Sequence, residues 1–212
     1  KKLSILTPTT EILGAALNSP DLMKILRSSS VLLPDSITLV GLGRFLGRTI
    51  SRRLTGIDTL YELGQHSHRK NRVFFLGAKE DIIEQTVAVS REIFQMFDIT
   101  GYSHGYYKPE EESDICDQIN QAEPDILFVG LGFPKQEEFI HRHIQNLSVP
   151  VMISIGGTFD VISGNLKRAP LWMQTHGLEW AYRLWQEPKR CFRMSLIPWH
   201  LIRLFWKETF KR

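Results

Sequence analysis

Two glycine-containing segments follow apolar runs and could hold a phosphate group. In the segment 130–137, two glycines stand at the end of a predicted strand, and Pro134 lies near the first turn of the next helix. Gly156 and Gly157 stand at the end of another strand. Glycine lets the backbone approach a ligand closely, and the free N–H groups of a helix start favour an anion such as a diphosphate. Segment 130–137 alone is as typical of a tight strand-to-helix turn as of a phosphate-binding loop. The two segments together favour a phosphate-binding crevice.

Neither segment matches a standard nucleotide fingerprint. In the GxGxxG register the third glycine of segment 130–137 would fall at Lys135, and the chain contains no GKS or GKT sequence. A dinucleotide site of the usual type and a P-loop are therefore excluded.

Two aspartates, Asp35 and Asp160, stand at or just beyond the ends of predicted strands, where a carboxylate has no packing role. Each could cap the helix that follows by accepting a hydrogen bond from its first turn. Each could instead serve as a general base, if it lay in the crevice and faced a hydroxyl group. The residue spacing leaves both interpretations open.

The segment 101–105 matches the GxSxG pattern of serine hydrolases, with Ser103 as the nucleophile. That pattern requires a strongly apolar strand and a helix directly after the serine. Here four residues, 105–108, precede the Pro109 that opens the next helix. A serine hydrolase remains an alternative that this context disfavours.

The sequence predicts no metal site. The chain lacks a DxD motif, and its two histidine pairs are spaced i, i+2, which points them to different faces of a helix and predicts solvated surface side chains. The cysteines have no CxxC spacing and suggest neither zinc nor a disulfide framework. The residues concerned are His66, His68, His141, His143, Cys116 and Cys191. If the protein acted on a nucleotide-sugar, basic side chains would have to neutralise the diphosphate that leaves. Four such side chains are available: Arg53, Lys135, Lys167 and Arg168.

The elements that must position these residues alternate between strands and helices as far as about residue 165. Such alternation predicts an α/β fold, a Rossmann-like, mostly parallel sheet with flanking helices. Its helices include Glu80 to Phe97 and one that opens at Pro109. The predicted strands are Leu3 to Leu6, Val31 to Leu33, Val73 to Leu76, Ile99 to Ser103, Ile126 to Val129 and Val151 to Ile155. Because parallel strands bring their carboxyl ends to one edge, the candidate residues should meet there.

The chain of 212 residues can form one substantial core, and its charge is uneven. Of the net charge of +3, residues 178–212 carry +5, and they also hold four of the five tryptophans. We therefore predict a core of residues 1–177 and a C-terminal helical appendage of residues 178–212 that associates with an anionic membrane surface. No run of about 18 apolar residues predicts a membrane-spanning helix. The chain starts without methionine, and we expect residues upstream of it.

Several blocks of the sequence, taken in order, resemble the WecG/TagA/CpsF glycosyltransferases (glycosyltransferase family 26). The blocks cover nearly the whole chain and comprise Thr7-Pro8, Leu33-Pro34-Asp35, residues 53–58, His104-Gly105-Tyr106-Tyr107, residues 130–137, Gly156-Gly157-Thr158-Phe159-Asp160, Lys167-Arg168-Ala169-Pro170 and residues 177–184. The resemblance implies an inverting transferase that moves a sugar, commonly N-acetylmannosamine or a related hexose, from a UDP-sugar. The implied acceptor is a sugar on a polyprenyl diphosphate in cell-wall or extracellular polysaccharide synthesis.

The resemblance also implies roles for individual residues. Asp35 would be the base, Thr7 and Gln136 would line the site, and Arg53 would face the ligands. The predicted substrate-binding residues are Thr9, Tyr106, Gly130, Gly132, Lys135, Gly156, Gly157, Asp160 and Arg168. Where the family often has Asn and Gly, this chain has Thr9 and Ser36, so its donor sugar could differ.

The expected partners are the UDP-sugar, the lipid-linked acceptor and the membrane, with a homo-oligomer possible and no nucleic acid. No cofactor is expected, and the expected location is the cytoplasmic face of the bacterial inner membrane. A non-catalytic nucleotide-binding or membrane-tethering module is the second alternative.

Overall fold

The computed structural model describes residues 2–50, 52–176, 178–186, 199, 202, 203 and 206. Its centre is a six-stranded sheet in which every strand is parallel to its neighbours, in the order β2-β1-β6-β5-β3-β4. The strands are β1 (Leu3–Leu6), β2 (Val31–Leu32), β3 (Asn71–Gly77), β4 (Phe97–Ser103), β5 (Ile126–Gly130) and β6 (Val151–Ser154). The predicted fold class and all six predicted strands are confirmed.

Helices connect these strands, and four of the helices begin at a hydroxyl side chain that accepts a hydrogen bond from the first turn. The capping residues are Thr9, Ser19, Ser36 and Thr55. In the described part of the chain the helices are α1 (Thr10–Ala16), α2 (Pro20–Ser28), α3 (Ile37–Phe45), α4 (Gly56–His66), α5 (Glu80–Ile93), α6 (Glu112–Ala122), α7 (Lys135–His143), α8 (Thr158–Ile162), α9 (Leu171–Thr175) and α10 (Glu179–Gln186), with a 3₁₀ turn at Pro109–Glu111.

The sheet is apolar on both faces, and each face packs against its own group of helices. Along β3, Phe74 contributes to one core with α1, α2, α6 and α7, whereas Phe75 contributes to a second core with α4, α5 and α8. The same alternation occurs along β5, at Leu127 and Phe128. Strands buried on both faces explain the continuous apolar runs in the sequence.

The predicted helix Glu80 to Phe97 ends earlier, because α5 stops at Ile93. Phe94 has an extended backbone and Phe97 already belongs to β4. Both aromatic rings pack together in the second core, with centroids 5.3 Å apart. The predicted helix extended to Phe97, but the two rings reach the core from a turn and a strand.

The C-terminal helix α10 packs against α9 and is joined to the core by two hydrogen bonds between Gln186 and the backbone of Lys167. Most of the predicted helical appendage of residues 178–212, including most of its basic residues, lies outside the described residues. The division of the chain at residue 177 stays a prediction.

Candidate functional site

Thr7 lies directly after β1 and is bound to the end of the neighbouring strand β6. Its N–H donates to Ser154 Oγ at 3.0 Å, and its hydroxyl donates to the Ser154 carbonyl oxygen at 3.0 Å. Only 3% of Thr7 is exposed. Thr7 therefore fixes two adjacent strand ends at the carboxyl edge of the sheet.

Gln136, in the first turn of α7, reaches the loop after β6 and binds it. Its Oε1 accepts a hydrogen bond from the Gly156 N–H at 3.0 Å, and its Nε2 donates to Glu137 Oε1 at 2.8 Å. Both Gln136 and Glu137 are buried. Burial of the Glu137 carboxyl raises its pKa to about 7, against the lowering effect of the bond from Gln136.

The loop after β2 carries Asp35 beside the loop after β1. The Asp35 N–H donates to the Pro8 carbonyl oxygen at 3.1 Å, and the Leu54 N–H donates to the Pro34 oxygen at 3.0 Å. These two bonds bring the segments that hold Thr7, Asp35 and Arg53 side by side. Asp35 as a whole is half-buried.

The capping interpretation is wrong for both aspartates. Ser36, not Asp35, is the N-cap of α3, and its hydroxyl accepts from the Leu39 N–H at 3.2 Å. Asp160 lies inside the first turn of α8, whose N-cap is Gly157, and it accepts a bond from Asn165 Nδ2 at 3.1 Å. A role in catalysis or substrate binding stays a prediction for each.

Three hydroxyl groups lie together beside Asp35. Ser36 Oγ is 2.9 Å from Thr10 Oγ1 and 3.1 Å from Thr38 Oγ1. Thr9, one of the residues by which this chain departs from the family pattern, caps α1 by accepting from the Ile12 N–H at 3.3 Å. In this chain Thr9 and Ser36 therefore fix the loops that flank the candidate base.

Arg53 and Arg168 both bind carboxylates of the protein. The Arg53 guanidinium is paired with Glu179 of α10, and that of Arg168 is paired with Asp58 in α4. Burial alone would raise the pKa of Asp58, but the bonds from Thr55 and Arg168 outweigh it and hold that pKa below its ordinary value. An open cavity of about 220 Å³ is lined by Arg53, Asp58 and the adjoining turns of α4.

The loop between β5 and α7 keeps the backbone close to its neighbours. A Cβ atom on Gly130 would lie 3.0 Å from the Gly156 oxygen. Gly132 and Gly156 have φ angles of +75° and +56°, which favour glycine. Lys135 is exposed at the first residue of α7.

Tyr106 lies after the edge strand β4 and is exposed, three strands away from β6. The sequence near it does not form the turn that a serine hydrolase needs, because β4 ends at Ser103 and no helix follows until the 3₁₀ turn at Pro109–Glu111. Among the described residues, no imidazole hydrogen-bonds to the Ser103 hydroxyl. The structure thus disfavours the hydrolase alternative.

One histidine prediction is wrong. His141 is exposed, but His143 is half-buried, with Nε2 2.7 Å from Glu112 Oε1 and Nδ1 3.5 Å from Cys116 Sγ. Burial and the Glu112 carboxylate, in that order, raise the pKa of the Cys116 thiol to about 11, so this arrangement does not make the thiol a nucleophile.

Within the described ranges, no group of three or more His, Cys, Asp or Glu residues could hold a metal ion. Over the same part of the chain, no helix is both long and apolar enough to cross a membrane.

Three carboxylates at the site were not among the site residues predicted from the sequence: Glu137, Glu179 and Asp58. The sequence could have indicated that Glu137 is buried, since it shares the apolar face of its helix with Ile140 and Ile144 at positions i+3 and i+7. No sequence pattern indicates the contact of Glu179 with Arg53, because 126 positions of sequence separate the two residues.

Comparison with known proteins gives the same family as the resemblance of the residues at the strand ends. The model of the family described as "Glycosyl transferase WecG/TagA/CpsF family" matches residues 1–212. A Bacillus subtilis protein is 39% identical over 98% of this chain and 81% of its own length, and one from Bacillus spizizenii is 38% identical over 92% and 75%. A Staphylococcus aureus protein is 30% identical over 92% and 77%. All three are named N-acetylglucosaminyldiphosphoundecaprenol N-acetyl-beta-D-mannosaminyltransferase. The match over the entire chain, together with the parallel sheet and its strand-end loops, shows that this protein is an enzyme of the WecG/TagA/CpsF family of glycosyltransferases.

Proposed function

We propose that this enzyme transfers an N-acetylmannosamine-type sugar from a UDP-sugar to a sugar carried on undecaprenyl diphosphate, with inversion at the anomeric carbon. The acceptor and the sugar are those in the names of three relatives that are 39%, 38% and 30% identical. UDP as the carrier is the donor that the family resemblance implies.

The observation that best supports this function is the joining of three loops at one edge of the sheet. Thr7 binds Ser154 at the end of β6, and Gln136 binds the N–H of Gly156 in the turn that follows (residues 156–157, the Gly156 turn). Asp35 binds the Pro8 oxygen in the loop after β1. Donor and acceptor must meet at one point, and the candidate base lies at the same edge as the glycine-containing loops, with the loop after β1 between it and the loop after β6.

The proposed reaction is a single displacement. The acceptor hydroxyl oxygen attacks the anomeric carbon of the donor, Asp35 takes the hydroxyl proton, and the bond from that carbon to the diphosphate breaks with its electrons on UDP. The diphosphate is a good leaving group, so no second carboxylic acid is required. The start of α7 and the exposed Lys135 would stabilise its charge without a metal ion.

The second part of the proposal is that the C-terminal tail holds the enzyme at the cytoplasmic membrane surface, where the acceptor lies. Trp180, Trp185, Trp199 and Trp206 are all exposed, between 50% and 76%. Tryptophan favours the headgroup region, and the basic residues around these side chains favour anionic lipid.

A transfer assay tests this function. The purified protein is incubated with UDP-N-acetylmannosamine, UDP-N-acetylglucosamine or UDP-glucose and a short-chain N-acetylglucosaminyl diphosphate lipid, and products are identified by mass. We expect one hexosamine to be added and UDP to be released only when the acceptor is present. Binding of UDP without turnover of any donor would favour the non-catalytic alternative, and the absence of both would overturn the proposal.

A further inference from the structure

The carboxyl group of Glu137 is buried in the first turn of α7, next to Gln136, and only one of its two oxygens accepts a hydrogen bond. The residue is 1% exposed, and its Oε1 accepts the bond from Gln136. Its Oε2 has no hydrogen-bond partner among the described residues. Buried polar groups are nearly always paired, so a carboxyl kept in this position calls for a reason other than packing.

That reason lies in the orientation of the neighbouring amide. The Gln136 oxygen must face the Gly156 N–H, and its NH₂ group then faces Glu137. If the amide were flipped, its NH₂ group would face the N–H of Gly156, and two donors would oppose each other. An acceptor at position 137 therefore selects the orientation that holds Gly156.

The Gly156 turn is the part of the site that this orientation controls. Gly156 follows β6, its oxygen lies close to Gly130, and its φ of +56° gives the turn its shape. The bond from its N–H to the Gln136 side chain links this turn to α7.

We propose that Glu137 is a positioning residue for donor binding, because it fixes the amide of Gln136, which in turn holds the Gly156 turn against the loop between β5 and α7. The inference rests on the proposed function insofar as the donor binds at these loops. It adds a residue that does not itself contact the substrate.

The protonation of this carboxyl fits the role. Burial raises its pKa to about 7, so much of the protein carries a neutral carboxylic acid at neutral pH. A neutral carboxyl accepts the same bond from Gln136 and places no negative charge beneath an anionic diphosphate. Glutamine at this position would preserve both properties, whereas methionine would fill similar space without an acceptor.

The test compares Glu137→Gln with Glu137→Met in the full chain, by amide hydrogen exchange of Gly156 without ligand and by steady-state kinetics. In Glu137→Met we expect Gly156 exchange to be about 10-fold faster and the donor KM about 10-fold higher, the scale of one hydrogen bond, with a smaller change in kcat. Glu137→Gln should stay within about 2-fold of the wild type in both measurements. In a Gln136→Met background, Glu137→Met should add less than about 2-fold, because it acts through the lost amide.

The proposal is overturned if Glu137→Met leaves either Gly156 exchange or the donor KM unchanged, or if Glu137→Gln is impaired as much as Glu137→Met. An additive effect in the Gln136→Met background would overturn it as well. If the wild-type protein turned over no UDP-sugar, the proposed function would fail, and Gly156 exchange in the two variants would still decide whether Glu137 positions the turn.

Discussion

The guanidinium of Arg53 binds the carboxylate of Glu179, and this ion pair ties the segment before α4 to the C-terminal helix α10. The two side chains are 17% and 5% exposed, so both charges are largely removed from water. Arg53 is the residue that the family resemblance assigns to the ligands. The same side chain thus links the candidate site to the start of the tail.

We expect Arg53→Ala to destabilise the protein by up to about 3 kcal/mol, because it removes the guanidinium charge that is paired with the largely buried Glu179 carboxylate. Urea unfolding followed by circular dichroism measures the change. Arg52→Ala is the matched control, since Arg52 is exposed and should cost less than about 0.5 kcal/mol. Equal stability of the two variants would show that the ion pair does not hold α10.

Asp35→Asn should lower turnover roughly 100-fold or more, the usual scale for loss of a general base. The backbone bond from Asp35 to Pro8 and the cap at Ser36 do not involve the carboxylate and should be kept in the variant, and urea unfolding checks that the variant remains folded. Binding of UDP in a thermal-shift assay serves as the control and should persist. A variant with near-normal turnover would refute the assignment of the base.

The sequence predicted the centre of the sheet well because the strands β3, β5 and β6 are mainly buried and consist largely of apolar residues. It could also predict that Gln136 and Gly156 lie at the same edge, because parallel strands bring their carboxyl ends to one edge of a sheet. It could not predict that Asp35 leaves capping to Ser36, since both residue types cap helices and only the backbone decides which one does. The Arg53–Glu179 pair was also out of reach, because no local pattern connects two side chains so far apart in sequence.

Transfer activity should persist in excess EDTA. The described residues contain no cluster of metal ligands, and Lys135 and the start of α7 lie where a diphosphate charge could be stabilised. The measurement is the initial rate with and without EDTA, with added Mg²⁺ or Mn²⁺ as the control. If EDTA abolished transfer and either ion restored it, the role given to Lys135 would be wrong.

The tail should bind anionic vesicles and release them as salt is raised. At about 1 kcal/mol for each basic residue near an anionic surface, a few contacts give a reversible association that salt screens. Co-sedimentation with anionic and neutral vesicles compares the full chain with a chain that ends at Ser195. Equal binding of the two proteins, or no preference for anionic lipid at low salt, would rule out the segment after Ser195 as the anchor.

Glu137 should make the protein less stable as the pH rises from about 4.5 to about 7. Its pKa is about 7 in the folded protein and has a reference value of 4.5, so between these values the folded state binds more protons than the unfolded state. The free energy of unfolding therefore falls with rising pH, by about 3 kcal/mol at pH 8 relative to low pH.

Glu137→Gln removes this loss because its side chain is neutral throughout. The ionisable neighbour that acts on Glu137 through its charge is Glu138, and β1, β5 and β6, which pack against α7, carry no ionisable side chains. Helix α2 also packs against α7, and it carries Asp21, Lys24 and Arg27. All these groups, and Asp58 with its lowered pKa, are common to both proteins.

Urea unfolding of the wild type and of Glu137→Gln at pH 5 and pH 8 gives the comparison. The stability of Glu137→Gln relative to the wild type should rise by about 2.5 kcal/mol between these pH values. A difference independent of pH would mean that the carboxyl is already ionised at pH 5.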